Sequence, residues 1–287
     1  TSDEAYFQWQ RETLSQAEIT ALLRAVEQKR RGSSAADVLF YDTTAGPNIL
    51  PILYSQQYDY YLSIGTRVAD RIGEALRAQS VLDIGCGVGI LTTFYARQYP
   101  DRTFVGIDRS PASIARAREL AKALGLTNVQ FECLEVEQIP LTHTSDLIVA
   151  THVLVQAEQD PGIPSRSWNT FERAGLGQSQ ADFERRTGVG ARLDRLSALL
   201  SAEGRLFVFE KTRQLARRVP FQRALAARGF GLMEQPELIR YRLVEEVADD
   251  GPFYVLVRTA SERFHWDDSP EPDEGPPFDR TILTTSS

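Results

Sequence analysis

Asp83, Gly85, Gly87 and Gly89 fall within seven residues, and a second carboxylate, Asp108, follows roughly 20 residues later. Glycines at alternate positions let a chain turn sharply and bring bare main chain against a ligand. An acid at that distance is placed to accept hydrogen bonds from the two hydroxyls of a ribose. Val81, Leu82 and Ile84 before the glycines read as a short apolar strand. Ile90, Leu91, Phe94 and Tyr95 after them have helical spacing, and Thr103 to Asp108 reads as a second strand. The stretch is therefore expected to be a nucleoside-binding βαβ unit, with free helix N–H groups and both strand ends facing one crevice.

A dinucleotide site is the competing reading, and its fingerprint needs a third glycine where this chain has Ile90. The order Asp83, Gly85, Gly87, Gly89 instead resembles the first motif of class I S-adenosylmethionine-dependent methyltransferases. Gly106-Ile107-Asp108-Arg109-Ser110-Pro111 is similar to that family's second motif, with Ser110 as N-cap and Pro111 at N1 of the following helix. The run around Leu134-Glu135-Val136 resembles the loop that contacts adenine, although many relatives carry Gly-Asp there. Either Glu135 or the backbone of Leu134 and Val136 would hold the ring. The resemblance extends over about Ser63 to Thr259. It implies S-adenosyl-L-methionine as cofactor, S-adenosyl-L-homocysteine as product, and cofactor contacts from Asp83, Gly85, Cys86, Gly87, Gly89, Asp108, Arg109, Ser110, Leu134, Glu135, Val136 and Thr151.

Methyl transfer needs alignment of the acceptor and, for a hydroxyl acceptor, a base. His152 is the candidate, because imidazole titrates near neutral pH and this residue follows the fourth strand, at the sheet edge where ligands of open α/β folds bind. Its alternative role is a binding contact without proton transfer. The other two histidines, His143 and His265, lie in a turn and near the tail. Tyr54, Tyr58 and Tyr61 precede the fold core and are substrate-binding candidates, since a tyrosine offers a ring face to cationic methyl groups and one directional hydrogen bond. Packing of a lid is their alternative use. Trp168 lies in a long insertion at about 156–190 and either lines an acceptor pocket or anchors the insertion.

The elements that must position these groups follow from periodicity. Ser15-Gln16-Ala17-Glu18 has capping-box spacing, and Ile19, Leu22, Leu23 and Val26 line one helical face. Residues 1–62 are expected to form a helical extension acting as a lid, residues 63–262 the methyltransferase domain, and the acidic, proline-rich 263–287 a disordered tail. The fold expected is α/β, a seven-stranded, mostly parallel sheet with helices on both faces and an antiparallel last strand. Its closing hairpin is placed around Asp249-Asp250-Gly251.

At 287 residues and 42% hydrophobic, the chain can bury one large core. Two cysteines exclude a disulfide framework, and no metal site is expected. A net charge of −7 weighs against sequence-independent binding to nucleic acid, and no run is apolar enough to cross a bilayer. The polar start at Thr1 has no signal-peptide pattern and is read as a trimmed N-terminus of a cytoplasmic enzyme. A small-molecule methyl acceptor is the expected partner, oxygen or nitrogen before carbon, and self-association is left open. A protein or nucleic-acid methyltransferase, or a non-catalytic cofactor-binding scaffold, is the alternative.

Overall fold

The computed structural model describes residues 3–30, 33–141, 144–155, 180–213, 215–244 and 246–258. Five helices lead the chain: α1 (Asp3–Thr13), α2 (Gln16–Arg30), α3 (Ser34–Thr44), α4 (Ile49–Gln56) and α5 (Tyr58–Glu74). Strands and helices then alternate as β1 (Ser80–Ile84), α6 (Ile90–Gln98), β2 (Thr103–Asp108), α7 (Pro111–Ala123), β3 (Val129–Cys133) and β4 (Ser145–Thr151). The remainder comprises α8 (Gln180–Thr187), α9 (Val189–Leu199), β5 (Leu200–Phe209), α10 (Leu215–Ala226), β6 (Phe230–Leu232), β7 (Glu237–Arg242) and β8 (Val247–Arg258). Expected positions Trp168, His143, His265 and the 263–287 tail lie outside the described residues.

The chain forms two compact units, residues 1–138 with 240–249, and residues 139–239 with 250–287. In the first, β1 pairs with β2 and β2 with β3, all parallel. Helix α7 packs on β2 and β3, and its buried face of Ile114, Ala117 and Ala121 encloses the Phe131 ring of β3. The capping box forms as its sequence requires: the Ser15 N–H donates to the Glu18 carboxylate at 2.8 Å and the Glu18 N–H to the Ser15 hydroxyl at 3.3 Å. Leu14, Ile49 and Ile52 close a separate apolar cluster among the leading helices, with Ile19 and Leu22 against it.

In the second unit β4 and β5 are parallel, and β8 runs antiparallel to β5 and to β6. Residues 147–150, 206–209 and 253–256 are buried throughout. Such unbroken apolar runs are what strands covered on both faces require. The α/β class, the mostly parallel strands and the antiparallel closing strands therefore agree with expectation. Eight strands are present among the described residues, the additional one being the short Phe230–Leu232.

The closing turn is displaced from its expected place. The Leu243 N–H donates to the Glu246 carbonyl at 2.8 Å, so the chain reverses at 243–246. Asp249-Asp250-Gly251 lies inside β8 instead. An Asp-Gly pair satisfies a turn but does not compel one when the ladder on either side extends past it. Leu76, two residues past the end of α5 at Glu74, is exposed.

Phe131→Ala is expected to lower unfolding free energy by about 3–5 kcal/mol in urea denaturation, since α7 and β3 cannot collapse onto the space left. A loss under about 1 kcal/mol would show that the ring is not the centre of this cluster.

Candidate functional site

The first unit assembles the glycine turn and both acids. The Gly85 and Cys86 N–H groups donate to the Ile107 carbonyl at 2.7 and 3.0 Å, which ties the turn to the end of β2. Gly87 and Gly89 take φ of 54° and 78°, and Gly89 caps α6. A Cβ at Gly87 would meet nothing within 4 Å, so bare main chain there faces open space rather than packed side chains.

Asp108 is the junction of this arrangement. Its Oδ2 accepts from the Gly87 N–H at 3.0 Å and its Oδ1 from the Ser110 N–H at 2.8 Å. Each carboxylate oxygen offers about two acceptor sites, so lone pairs remain for other donors. Burial pushes the Asp108 pKa up, the Ser110, Gly87 and Arg109 backbone donors oppose that, and the nearby Glu135 carboxylate adds to it. Glu135 thus reaches the same corner, where the Leu134 N–H donates to the Asp108 carbonyl at 3.1 Å and the buried Val136 opens a turn.

Asp83 sits lower in the site, buried at the end of β1, and accepts from the Thr92 hydroxyl at 2.6 Å. Burial pushes its pKa up to about 7; the Thr92 hydrogen bond opposes the shift and the Asp108 charge adds to it. The Cys86 thiol is likewise pushed well up, first by burial and then by Asp83 and Asp108. The buried Tyr95 hydroxyl, within electrostatic reach of Asp83 and Tyr60, makes no hydrogen bond among the described residues. It is an orphaned polar atom beside the glycine turn, which suits a polar ligand better than a dry core.

Arg109 and Ser110 are committed elsewhere. Arg109 pairs with Asp37 of α3, which also holds Lys29 at 3.2 Å. The Ser110 hydroxyl caps α7 by accepting from the Ser113 N–H at 3.1 Å, and it donates to Asp42 of α3 at 2.6 Å. Asp42 also accepts from the Ala112 N–H at 3.2 Å. Sequence reading passed over Asp37 and Asp42, because nothing local marks a carboxylate that caps a helix 70 residues away.

Of the three tyrosines, Tyr54 and Tyr61 stack edge to face with centroids 5.4 Å apart, and Tyr60 joins Tyr61 to Tyr241 at 5.2 Å on each side. Burial pushes the pKa of Tyr54 and of Tyr61 up, and Cys86 acts on Tyr54, which places that ring beside the glycine turn. Tyr58 is exposed. Thr151 and His152 belong to the second unit, where Thr151 ends β4 and His152 takes a left-handed φ of 54°. For a residue with a Cβ that backbone costs roughly 1–2 kcal/mol.

A sheet in which paired parallel strands carry a glycine turn at one carboxyl end and an acid at the next defines a Rossmann-like nucleoside-binding class. Residues 76–183 match the family described as "Methyltransferase domain". The chain is 31% identical over 101 residues to malonyl-acyl-carrier-protein O-methyltransferase of Acetivibrio thermocellus, covering 33% of this chain and 35% of that protein. It is 37% identical over 87 residues to tRNA (guanine-N(7)-)-methyltransferase of Rubrobacter xylanophilus, covering 30% and 37%. The chain thus spans about a third of the length of the curated relatives it matches. Magnesium protoporphyrin IX methyltransferase of Synechocystis PCC 6803, solved with bound S-adenosylmethionine, shares the fold with a TM-score of 0.50 at 15% identity, covering 82% of this chain and 96% of that one. No helix among the described residues is long and apolar enough to cross a membrane.

A folded-state pKa raised above 3.8 means that the native protein holds the Asp83 proton more tightly than the unfolded chain. Stability from this group is therefore full at about pH 4 and declines as pH rises towards 7. Asp83→Asn should flatten the decline, so that urea melts at pH 5 and pH 8 differ by at least about 1 kcal/mol less than in the parent chain. Equal pH dependence in both proteins would mean that Asp83 is already a carboxylate at pH 5.

Proposed function

We propose that the chain is an S-adenosylmethionine-dependent methyltransferase acting on a small acceptor, at oxygen or nitrogen before carbon. The observation that carries this reading is Asp108, which braces the glycine turn through Gly87 and keeps lone pairs for a ribose. Bare main chain at Gly87 admits a nucleoside edge, Glu135 or the backbone beside it takes the adenine, and Tyr54 closes the glycine turn from the α4 side. When bound, the sulfonium supplies an activated methyl group and leaves as a neutral thioether. This chain must then exclude water, align the acceptor and receive its proton. His152, at the carboxyl end of β4, is assigned the last of these tasks.

The relatives' names include an O-methyltransferase and a tRNA methyltransferase, so likeness alone does not choose the acceptor. A net charge of −7 favours a small molecule over a polyanion. The aromatic group of Tyr54, Tyr60, Tyr61 and Tyr241 agrees with an acceptor that has an apolar face.

Titration calorimetry with S-adenosylhomocysteine should give saturable binding that Asp108→Ala weakens by about 10–100-fold, the worth of one or two hydrogen bonds to a charged group. Binding of NAD with no response to S-adenosylhomocysteine would reject the reading. With labelled S-adenosylmethionine and a panel of small phenols, carboxylic acids and amines, His152→Gln should cut turnover at least about 100-fold while donor affinity stays within about threefold. Equal losses in both would leave His152 a binding residue.

A further inference from the structure

Helix α3 delivers a carboxylate to the start of α7. Thr44 and Ala45 are buried, and the Ala45 carbonyl accepts from the Arg116 Nε at 3.3 Å, so the end of α3 is packed on α7. Asp42 lies one turn before Ala45 and so on the same side of the helix. A single oxygen, its Oδ1, accepts both from the Ser110 hydroxyl at 2.6 Å and from the Ala112 N–H at 3.2 Å. Arg109, between Asp108 and Ser110, pairs with Asp37 of the same helix.

These bonds settle where each polar group of Ser110 goes. Its N–H donates to the Asp108 Oδ1 at 2.8 Å, and its carbonyl accepts from the Ile114 N–H at 3.0 Å. Its hydroxyl accepts from the Ser113 N–H at 3.1 Å and donates to Asp42. Ser110 is fully buried, so water does not compete for any of them. A serine hydroxyl rotates to suit its surroundings, so the helix cap alone does not say where its proton points. A charged acceptor at 2.6 Å does. Deprived of it, the buried hydroxyl must find another acceptor or leave its donor unpaired. The Asp108 carboxylate, two residues back, already meets the Ser110 N–H.

We propose that Asp42 is a positioning residue for the nucleoside site. By taking the Ser110 hydroxyl proton and the Ala112 N–H, it holds the Ser110 N–H on Asp108 and keeps the hydroxyl off the lone pairs that Asp108 offers to a ribose. Asp42 thus sets how tightly Asp108 grips its ligand without touching that ligand itself. The inference rests on the methyltransferase reading and deepens it, since the leading helices then tune the cofactor site.

The test is titration calorimetry with S-adenosylhomocysteine, run well below the melting temperature of every variant. Asp42→Ala should weaken binding at least about fivefold, and Asp42→Asn should stay within about twofold of the parent chain, because its side-chain oxygen still accepts both bonds. In an Asp108→Ala background the same Asp42→Ala change should cost less than about twofold, since a residue that acts through Asp108 then has nothing left to position. Parent affinity in Asp42→Ala overturns the proposal. Equal losses in the two backgrounds, or an Asn variant as weak as the Ala one, do so as well. Ser110→Ala keeps the N–H but removes the hydroxyl that Asp42 holds, and it decides the matter should Asp42→Ala fail to fold. A loss of at least about threefold is expected there, and unchanged affinity overturns the role of Asp42. No binding by the parent chain defeats the methyltransferase reading and the inference with it, whereas parent binding untouched by these changes defeats the inference alone.

Discussion

The carboxylate at the end of β2 is the constraint on which the first unit depends. Asp108 takes one N–H from the glycine turn and one from the start of α7, so a single side chain joins two loops that leave adjacent strands. A charged acceptor bonds backbone donors roughly twice as strongly as a neutral one. Holding such a charge in a half-buried corner costs desolvation, which appears as its raised pKa. Glu135 beside it adds repulsion rather than relief. The corner therefore gathers negative charge that backbone donors only partly offset.

The leading helices are joined to the same corner by charge. Asp37 holds Arg109 and Asp42 holds Ser110 and the Ala112 N–H, so α3 is attached to the residue that follows Asp108 and to the start of α7. Ion pairs at a surface are worth little by themselves. Here Asp42 also occupies two donors at the start of α7, and helix starts favour negative charge. Movement of α3 would leave those donors and the Arg109 charge to water. The N-terminal helices are thus part of the fold of this corner rather than an appendage to it.

How much of this was legible in the sequence follows from the range of each interaction. The capping box at Ser15 and Glu18, the cap at Ser110 and the glycine turn involve neighbours a few residues apart, so residue types and spacing specify them. Gly125, two residues past the end of α7, has φ of 66°, and the Leu126 N–H returns to the Ala121 carbonyl at 3.0 Å, a bond that needs only local chain. Asp37 and Asp42 act across some 70 residues of sequence, and their partners are set by packing that no local pattern encodes. The commitment of Arg109 to Asp37 was invisible for the same reason. An Asp-Gly pair was read as a turn because both residues tolerate one, yet the demand for ladder pairing along Phe253 to Val257 carried the strand through it.

Strain and burial separate the two acids that most resemble each other in the sequence from the one that matters at His152. Asp83 and Asp108 stand in regular backbone, and their energetic cost is electrostatic. His152 carries its cost in the backbone, and such a conformation persists only when surrounding contacts over-determine it. Glu210 supplies that determination by spending a buried carboxylate on two peptide donors instead of on solvent. A histidine needed merely to fill space would sit as well in ordinary strand geometry, with no buried acid beneath it. At His152 a strained backbone and the buried carboxylate that fixes it therefore stand together.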